Sequence, residues 1–146
     1  MVDCFDKAAR RRVMAAVRQK DTQPELVVRR LAHALGYRFR LHAALPGRPD
    51  VVFPGRRKVI LVHGCFWHRH DCRRGRATPV TNAGFWAAKF QATVRRDRKT
   101  MAQLRRLGWS VMVVWECQTA TSGSVRLARR IESFLGPPGS GRNAGG

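Results

Sequence analysis

Acidic side chains are what this chain most lacks. Nine Asp and Glu stand against 29 Lys and Arg, giving a formal charge of +20 and a pI near 11.8. Such an imbalance is a statement about partners, and nucleic acid is the first candidate. Long apolar runs are missing too. None approaches the ~18–20 residues that cross a bilayer, so no membrane span is expected and an anionic membrane surface is the weaker partner. The basic N-terminal residues lead into no apolar core of signal-peptide type, so a secretory signal is not expected and a cytoplasmic, nucleoid-associated bacterial location is. Cysteine is sparse, with four in the chain. In a reducing compartment these thiols are expected to bind metal or lie inert rather than pair. No internal repeat is present. A length of 146 residues at 44% hydrophobic content suits one domain around one core.

What is there falls into α/β order. Residues 6–18 can form a short, thinly amphipathic basic helix that reads as an arm. Thr22-Gln23-Pro24-Glu25 has the form of a capping box and opens a helix to about Leu35. Leu26, Val27, Leu31, Ala34 and Leu35 are its expected buried stripe, and Gly36 its left-handed stop. Tyr37–Leu41 alternates as a half-buried strand does. Asp50–Phe53 and Lys58–His63 form a hairpin about Pro54-Gly55-Arg56-Arg57. Trp86, Phe90, Val94, Met101 and Leu104 mark one face of a long helix over 83–106, which Gly108 stops. Ser110–Trp115 has the pattern of a strand buried on both faces, and Ser124–Leu135 that of a final amphipathic helix. The order α-β-β-β-α-β-α predicts an α/β fold with a small mixed β-sheet flanked by helices, compatible with a restriction-endonuclease-like core.

Chemistry is concentrated between Val62 and Cys72, which holds three of the five histidines and two of the four cysteines. Cys65, His70 and Cys72 are spaced C-x4-H-x-C, and Cys117 follows the last strand. Four such ligands suffice for a closed tetrahedral zinc site, although buried free thiols or a Cys65–Cys72 disulfide would also fit the spacing. Cys4 stands apart as a spare thiol, and His33 and His42 belong to no constellation. Asp50 begins a strand whose partner ends in His63, an arrangement that can hold Mg²⁺; a local turn bond is the alternative. Asp97 continues the helical stripe inward, where a carboxylate requires a partner. A histidine would serve, or else a rim arginine. Glu25 has a sufficient account as the third residue of the capping box. Phe66, Trp67 and Trp86 are equally suited to the core and to insertion between bases.

The ordered set Asp6-Lys7-Ala8, Arg12 to Met14, Asp21-Thr22 with Glu25, Leu45 to Asp50, His63-Gly64-Cys65-Phe66-Trp67-His68, Phe85-Trp86, Arg96-Asp97-Arg98, Leu107-Gly108-Trp109 and Val114 to Cys117 resembles the very short patch repair (Vsr-type) DNA mismatch endonucleases. That resemblance implies a Mg²⁺-dependent nick 5′ to the T of T:G mismatches, which arise by 5-methylcytosine deamination. It implies Asp50 and the Val62 carbonyl as magnesium ligands, and His68 as general base supported by Asp97, with His63 and Glu25 assisting. Cys65, His70, Cys72 and Cys117 would hold a structural zinc, and Phe66, Trp67 and Trp86 would enter the DNA. Residues 1–20 would be a DNA-contacting arm, 21–135 the endonuclease domain and 136–146 a disordered tail.

The implied partner is double-stranded DNA bearing a T:G mismatch, met by a monomer and linked functionally to a cytosine-5 DNA methyltransferase. The chain departs from the family pattern at Val62, Arg69 and Asp71, in its arginine-rich loop 73–82 and after Cys117. These departures bear on sequence context rather than on the chemistry. Two other functions compete: a broader restriction-type endonuclease of the same fold, and a non-catalytic zinc-stabilised DNA-binding module. Asp50, His63, His68 and Asp97 argue against the last, since binding alone needs none of them.

Overall fold

A computed structural model describes residues 22–41, 43–77 and 81–138. The expected arm, Cys4, His42, part of the basic loop and most of the tail lie outside the described residues. Helix α1 (Gln23–Ala34) starts where predicted, because Thr22 takes an extended backbone and its hydroxyl accepts the Glu25 N–H at 3.4 Å. It ends at Gly36, whose φ of +99° lets the Tyr37 N–H reach back to the Ala32 carbonyl at 3.0 Å. Its buried stripe differs from the expected one. Glu25, Val28 and Ala32 lie at the core, with Leu26, Val27, Leu31 and Leu35 flanking them half-buried and Ala34 exposed. Val28 and Ala32 take the centre of the stripe, and Val27, Leu31 and Leu35 pack at its margins.

Strands β1 (Arg40–Leu41), β2 (Val51–Phe53), β3 (Lys58–His63) and β4 (Ser110–Trp115) form one sheet in the order β1-β2-β3-β4. The first two pairings are antiparallel, and β3 runs parallel to β4 from Lys58 opposite Ser110 to His63 opposite Trp115. Only two residues of the expected 37–41 strand join the ladder. Tyr37 is instead buried, its hydroxyl donating to the Gly136 carbonyl and its ring set edge-on to Phe53. Strand β4 is also less buried than expected: Met112 and Val114 are covered, while Val111 and Val113 are half-buried. It lies at the edge of the sheet, where cover is incomplete.

Between β3 and β4 come two short helices, α2 (Cys65–His68) and α3 (Arg73–Arg76), and the long α4 (Ala83–Arg106); α5 (Ser124–Leu135) follows. One face of the sheet presents Val51, Phe53, Ile60, Met112 and Val114 to Val28 and Ala32 of α1 and to Leu127, Ile131 and Leu135 of α5. The other presents Val52, Val59 and Leu61 to Leu104 and Met101 of α4. The result is a mixed α/β fold, helix on sheet on helix. Complete burial of side chains such as Leu127 and Ile131 contributes roughly 1.5–3 kcal/mol each. Part of the positive charge is structural. Arg56 donates to the Leu135 carbonyl at 3.0 Å, Lys58 to Phe134 at 2.5 Å and Arg57 to Leu107 at 2.8 Å, so three cations cap the C-termini of α5 and α4. Among the described residues no helix is long and apolar enough to cross a membrane.

Candidate active site and metal centre

Strand alternation decides what stands at the end of the sheet. In β3, Val59 and Leu61 face α4, so His63 follows them to that side; in β4, Val111 and Val113 bring Trp115 there. The two residues are register partners, and their rings meet edge-on at 5.2 Å. Gly64 then lets the chain turn into α2, which sets the His68 ring flat on His63 with centroids 4.0 Å apart and an interplanar angle of 5°. His68 Nδ1 lies 2.5 Å from Asp97 Oδ2, so the inward carboxylate of α4 has a histidine partner rather than a rim arginine. Burial holds the His63 imidazole down at about 4, assisted by the charge of His68 and opposed by Asp97, so His63 is neutral near pH 7. Its Nδ1 is buried with no hydrogen-bond partner among the described residues.

Beside this histidine stack lies a carboxyl pair. Asp50 precedes β2, and its Oδ2 accepts the Val62 N–H at 2.6 Å, which sets the Val62 peptide against the carboxylate. Glu25, 4% exposed at the start of α1, faces Asp50 as well as accepting hydrogen bonds from Thr22 Oγ1 at 3.0 Å and from Arg29 at 3.3 Å. The cap and the site thus share one glutamate. Burial raises the Asp50 carboxyl to about 7, and the charge and hydrogen bond of Glu25 add to the rise against the Val62 N–H. Asp50, buried and sharing its proton with Glu25 in a hydrogen bond, fits a divalent cation, whose charge would replace that proton.

The second cluster is made of Cys65, His70, Cys72 and Cys117, whose ligand atoms all lie within 4.8 Å of one another. Cys65 Sγ is 3.8 Å, and Cys117 Sγ 3.6 Å, from His70 Nδ1. A tetrahedral zinc with bonds of about 2.3 Å to sulfur and 2.0 Å to nitrogen separates its ligands by roughly 3.6 Å, so these donors fit one. Among the described residues Cys65, Cys72 and Cys117 are not in disulfides, so none joins Cys65 to Cys72. Backbone N–H groups of Cys117 and Gly75 point at Cys65 Sγ (3.3 Å) and Cys72 Sγ (3.4 Å), which suits sulfur in its thiolate form. Burial foremost, with the neighbouring cysteines, pushes the Cys65 thiol up to about 12, a cost that a bound cation would offset.

Phe66, Trp67, Trp86 and Phe90 form an aromatic cluster joining α2 to α4, with centroid separations of 5.0 to 6.4 Å. Phe66 and Trp67 are half-buried, while Trp86 is 4% exposed and packs beneath them. Three further residues belong to the site without having been singled out in the sequence. Trp115 stacks on His70 at 4.3 Å while touching His63, and so bridges the two clusters. Glu116 accepts the Cys65 N–H at 3.4 Å. Gly75 packs so tightly that a Cβ there would lie 1.8 Å from the His70 carbonyl oxygen. Alternation along β4 points Trp115 to the His63 side, whereas nothing local signals Gly75. His33 is exposed on α1 and joins neither cluster.

Comparison with known proteins agrees in one direction. The family model for DNA mismatch endonuclease Vsr matches residues 2–74. The chain is 46% identical to the type II nicking enzyme V.XorIIP of Xanthomonas oryzae pv. oryzae, over 94% of this chain and 99% of that protein. It is 44% identical to the DNA mismatch endonuclease Vsr of Escherichia coli, over 92% of this chain and 88% of that one. The type II nicking enzyme V.NmeAIP of Neisseria meningitidis is 37% identical, over 92% and 100%.

Proposed function

Because the chain belongs to the Vsr family of DNA mismatch endonucleases, hydrolases that act on DNA, we propose that it nicks one strand 5′ to the T of T:G mismatches left by 5-methylcytosine deamination. The observation that carries this reading is the His68–Asp97 pair stacked on His63, which follows Val62, the residue whose N–H Asp50 accepts.

Asp97 fixes the His68 ring by accepting from Nδ1, which leaves Nε2 to take a proton from an attacking water. Neutral His63, flat beneath it, supports the ring without opposing the charge that His68 gains. Asp50 and the Val62 carbonyl would hold Mg²⁺, with Glu25 assisting through Asp50. The ion would supply charge stabilisation to the phosphate and its leaving oxygen. Cys65, His70, Cys72 and Cys117 would hold a structural Zn²⁺, and Trp115 ties that loop to the histidines. Phe66 and Trp67 are set to open a base step, at a cost least for a mismatched one. Trp86 would join them once the cluster parts.

Double-stranded DNA is the substrate, and a cytosine-5 methyltransferase that makes the methylated precursor is the functional partner we infer. A monomer suffices, since the lesion is asymmetric. The test presents duplexes with T:G, C:G and other pairs, in Mg²⁺ or in EDTA. Mg²⁺-dependent nicking confined to the T strand of T:G duplexes is expected. Equal cutting of matched DNA would leave a broader nicking endonuclease, and no cutting of any duplex would sink the proposal.

A further inference from the structure

Beyond the cutting residues, Arg69, just after α2, and one side of α4 flank an open cavity of about 290 Å³ lined by Arg69, Phe90, Gln91, Val94, Arg95 and Arg98. Three arginines line it with no carboxylate among the lining residues. Val94 and Arg95 each stand three or four residues from both Gln91 and Arg98, so the four share a face of α4. Among the described residues neither Arg95 nor Arg98 has an ion-pair partner. Arg69 closes the other wall. Its backbone is left-handed, with φ +54°, a conformation that glycine would adopt at less cost. The side chain is held back over α4, with its guanidinium 4.1 Å from the Phe90 ring centroid and Nη1 donating to the Ala77 carbonyl at 2.7 Å. A long cation is thus oriented in advance at a position that favours a residue with no side chain.

Like charges around one cavity repel until an anion joins them, and guanidiniums recognise phosphate oxygens through paired N–H donors. The cavity adjoins the cutting pair through both of its walls: Arg69 follows His68, and Arg98 follows Asp97. We propose that Arg69, Arg95 and Arg98 seat a backbone phosphate of the strand that is cut, close to the scissile one, and so fix which phosphate reaches His68. The inference rests on His68 and Asp97 being the cutting pair, and it concerns positioning rather than chemistry.

Binding of a T:G duplex by the protein as purified, with no Mg²⁺ added and nothing cut, tests it. Each phosphate neutralised contributes about 0.9 to the slope of log K against log salt. Arg95→Ala should lower that slope by about 0.9, Arg95→Lys should keep it, and Arg129→Ala, an exposed arginine of α5, should leave it unchanged. Single methylphosphonates placed along the duplex locate the contact. At one position in the cut strand the neutral linkage should weaken wild-type binding several-fold and Arg95→Ala binding not at all. A wild-type slope for Arg95→Ala, losses that add at every position, or a coupled position only in the uncut strand would overturn the assignment. A wild-type protein that binds with this coupling yet never nicks a T:G duplex would overturn the proposed function instead.

Discussion

Asp50 sits where burial and Glu25 hold its carboxyl near 7, some way above the ordinary value of 3.8. The folded state therefore keeps the proton between those two values, and the metal-free fold loses stability as pH rises through them. Asp50→Asn should raise the melting temperature of the metal-free protein at pH 8, with a smaller gain at pH 5, while abolishing nicking. Thermal melts in EDTA check the first effect. For the native residue, Mg²⁺ must displace a proton below about pH 7, so its affinity should fall with acidity. Calorimetry in buffers of different ionisation heat would show proton release near neutrality; the absence of release would contradict the shared-proton picture. Gly75 is the other decisive residue. Gly75→Ala drives a methyl group into the His70 carbonyl, so zinc content and melting temperature should both fall. Metal analysis of the purified variant decides it.

The elements differ in how plainly the chain announces them. Helices α4 and α5 begin and end where side-chain periodicity and glycine place them, because most of their burial comes from one stripe each. The β2–β3 hairpin was readable from its β-branched runs and its Pro-Gly turn. Residues 37–39 read as strand, yet long-range ties to Gly136 and Phe53 draw Tyr37 into the core instead. Helix α2 was not legible at all: its single turn is set by the cysteine cluster and the aromatic packing, not by its own propensity. Asp97 was readable from phase, whereas the approach of Glu25 to Asp50 depends on how α1 meets the sheet. That meeting makes α1 a sensitive element. Thr22→Ala removes the N-cap and should cost about 1 kcal/mol. It also removes one of the hydrogen bonds that hold the Glu25 carboxylate, so nicking should fall more than stability alone explains; denaturant unfolding beside single-turnover rates separates the two. On the far layer, Ile131→Ala should cost about 2–5 kcal/mol by opening a cavity beneath α5.

Across the whole molecule the charge of +20 divides its labour. Some cations cap helix ends, some pair with carboxylates, some line the cavity beside α4, and others set a general attraction for DNA. Affinity for any duplex should fall linearly in log salt, and the T:G preference should change far less than the total affinity. Parallel titrations of matched and mismatched duplexes would test that division. The proposed zinc would act at this scale as well. Its ligands would come from α2, from the loop between α2 and α3 and from the residues after β4, so stripping the metal should end nicking and lower the melting temperature while the helical circular dichroism largely persists. Rapid recovery of nicking in EDTA-stripped protein supplied with Mg²⁺ alone would argue against it.

The parallel pairing of β3 with β4 carries a consequence for assembly. His63 meets Trp115 only after the chain has run out through α4 and returned. Every proposed cutting residue lies before that return, yet the histidine stack gains its Trp115 neighbour only when β4 docks. Closing so long a loop is slow compared with forming a hairpin. If Asp50, His68 and Asp97 are the cutting residues, a strongly basic nascent chain would present them before their site is closed. Competence would then arrive late, when the crossover shuts and Cys117 reaches Cys65 and His70.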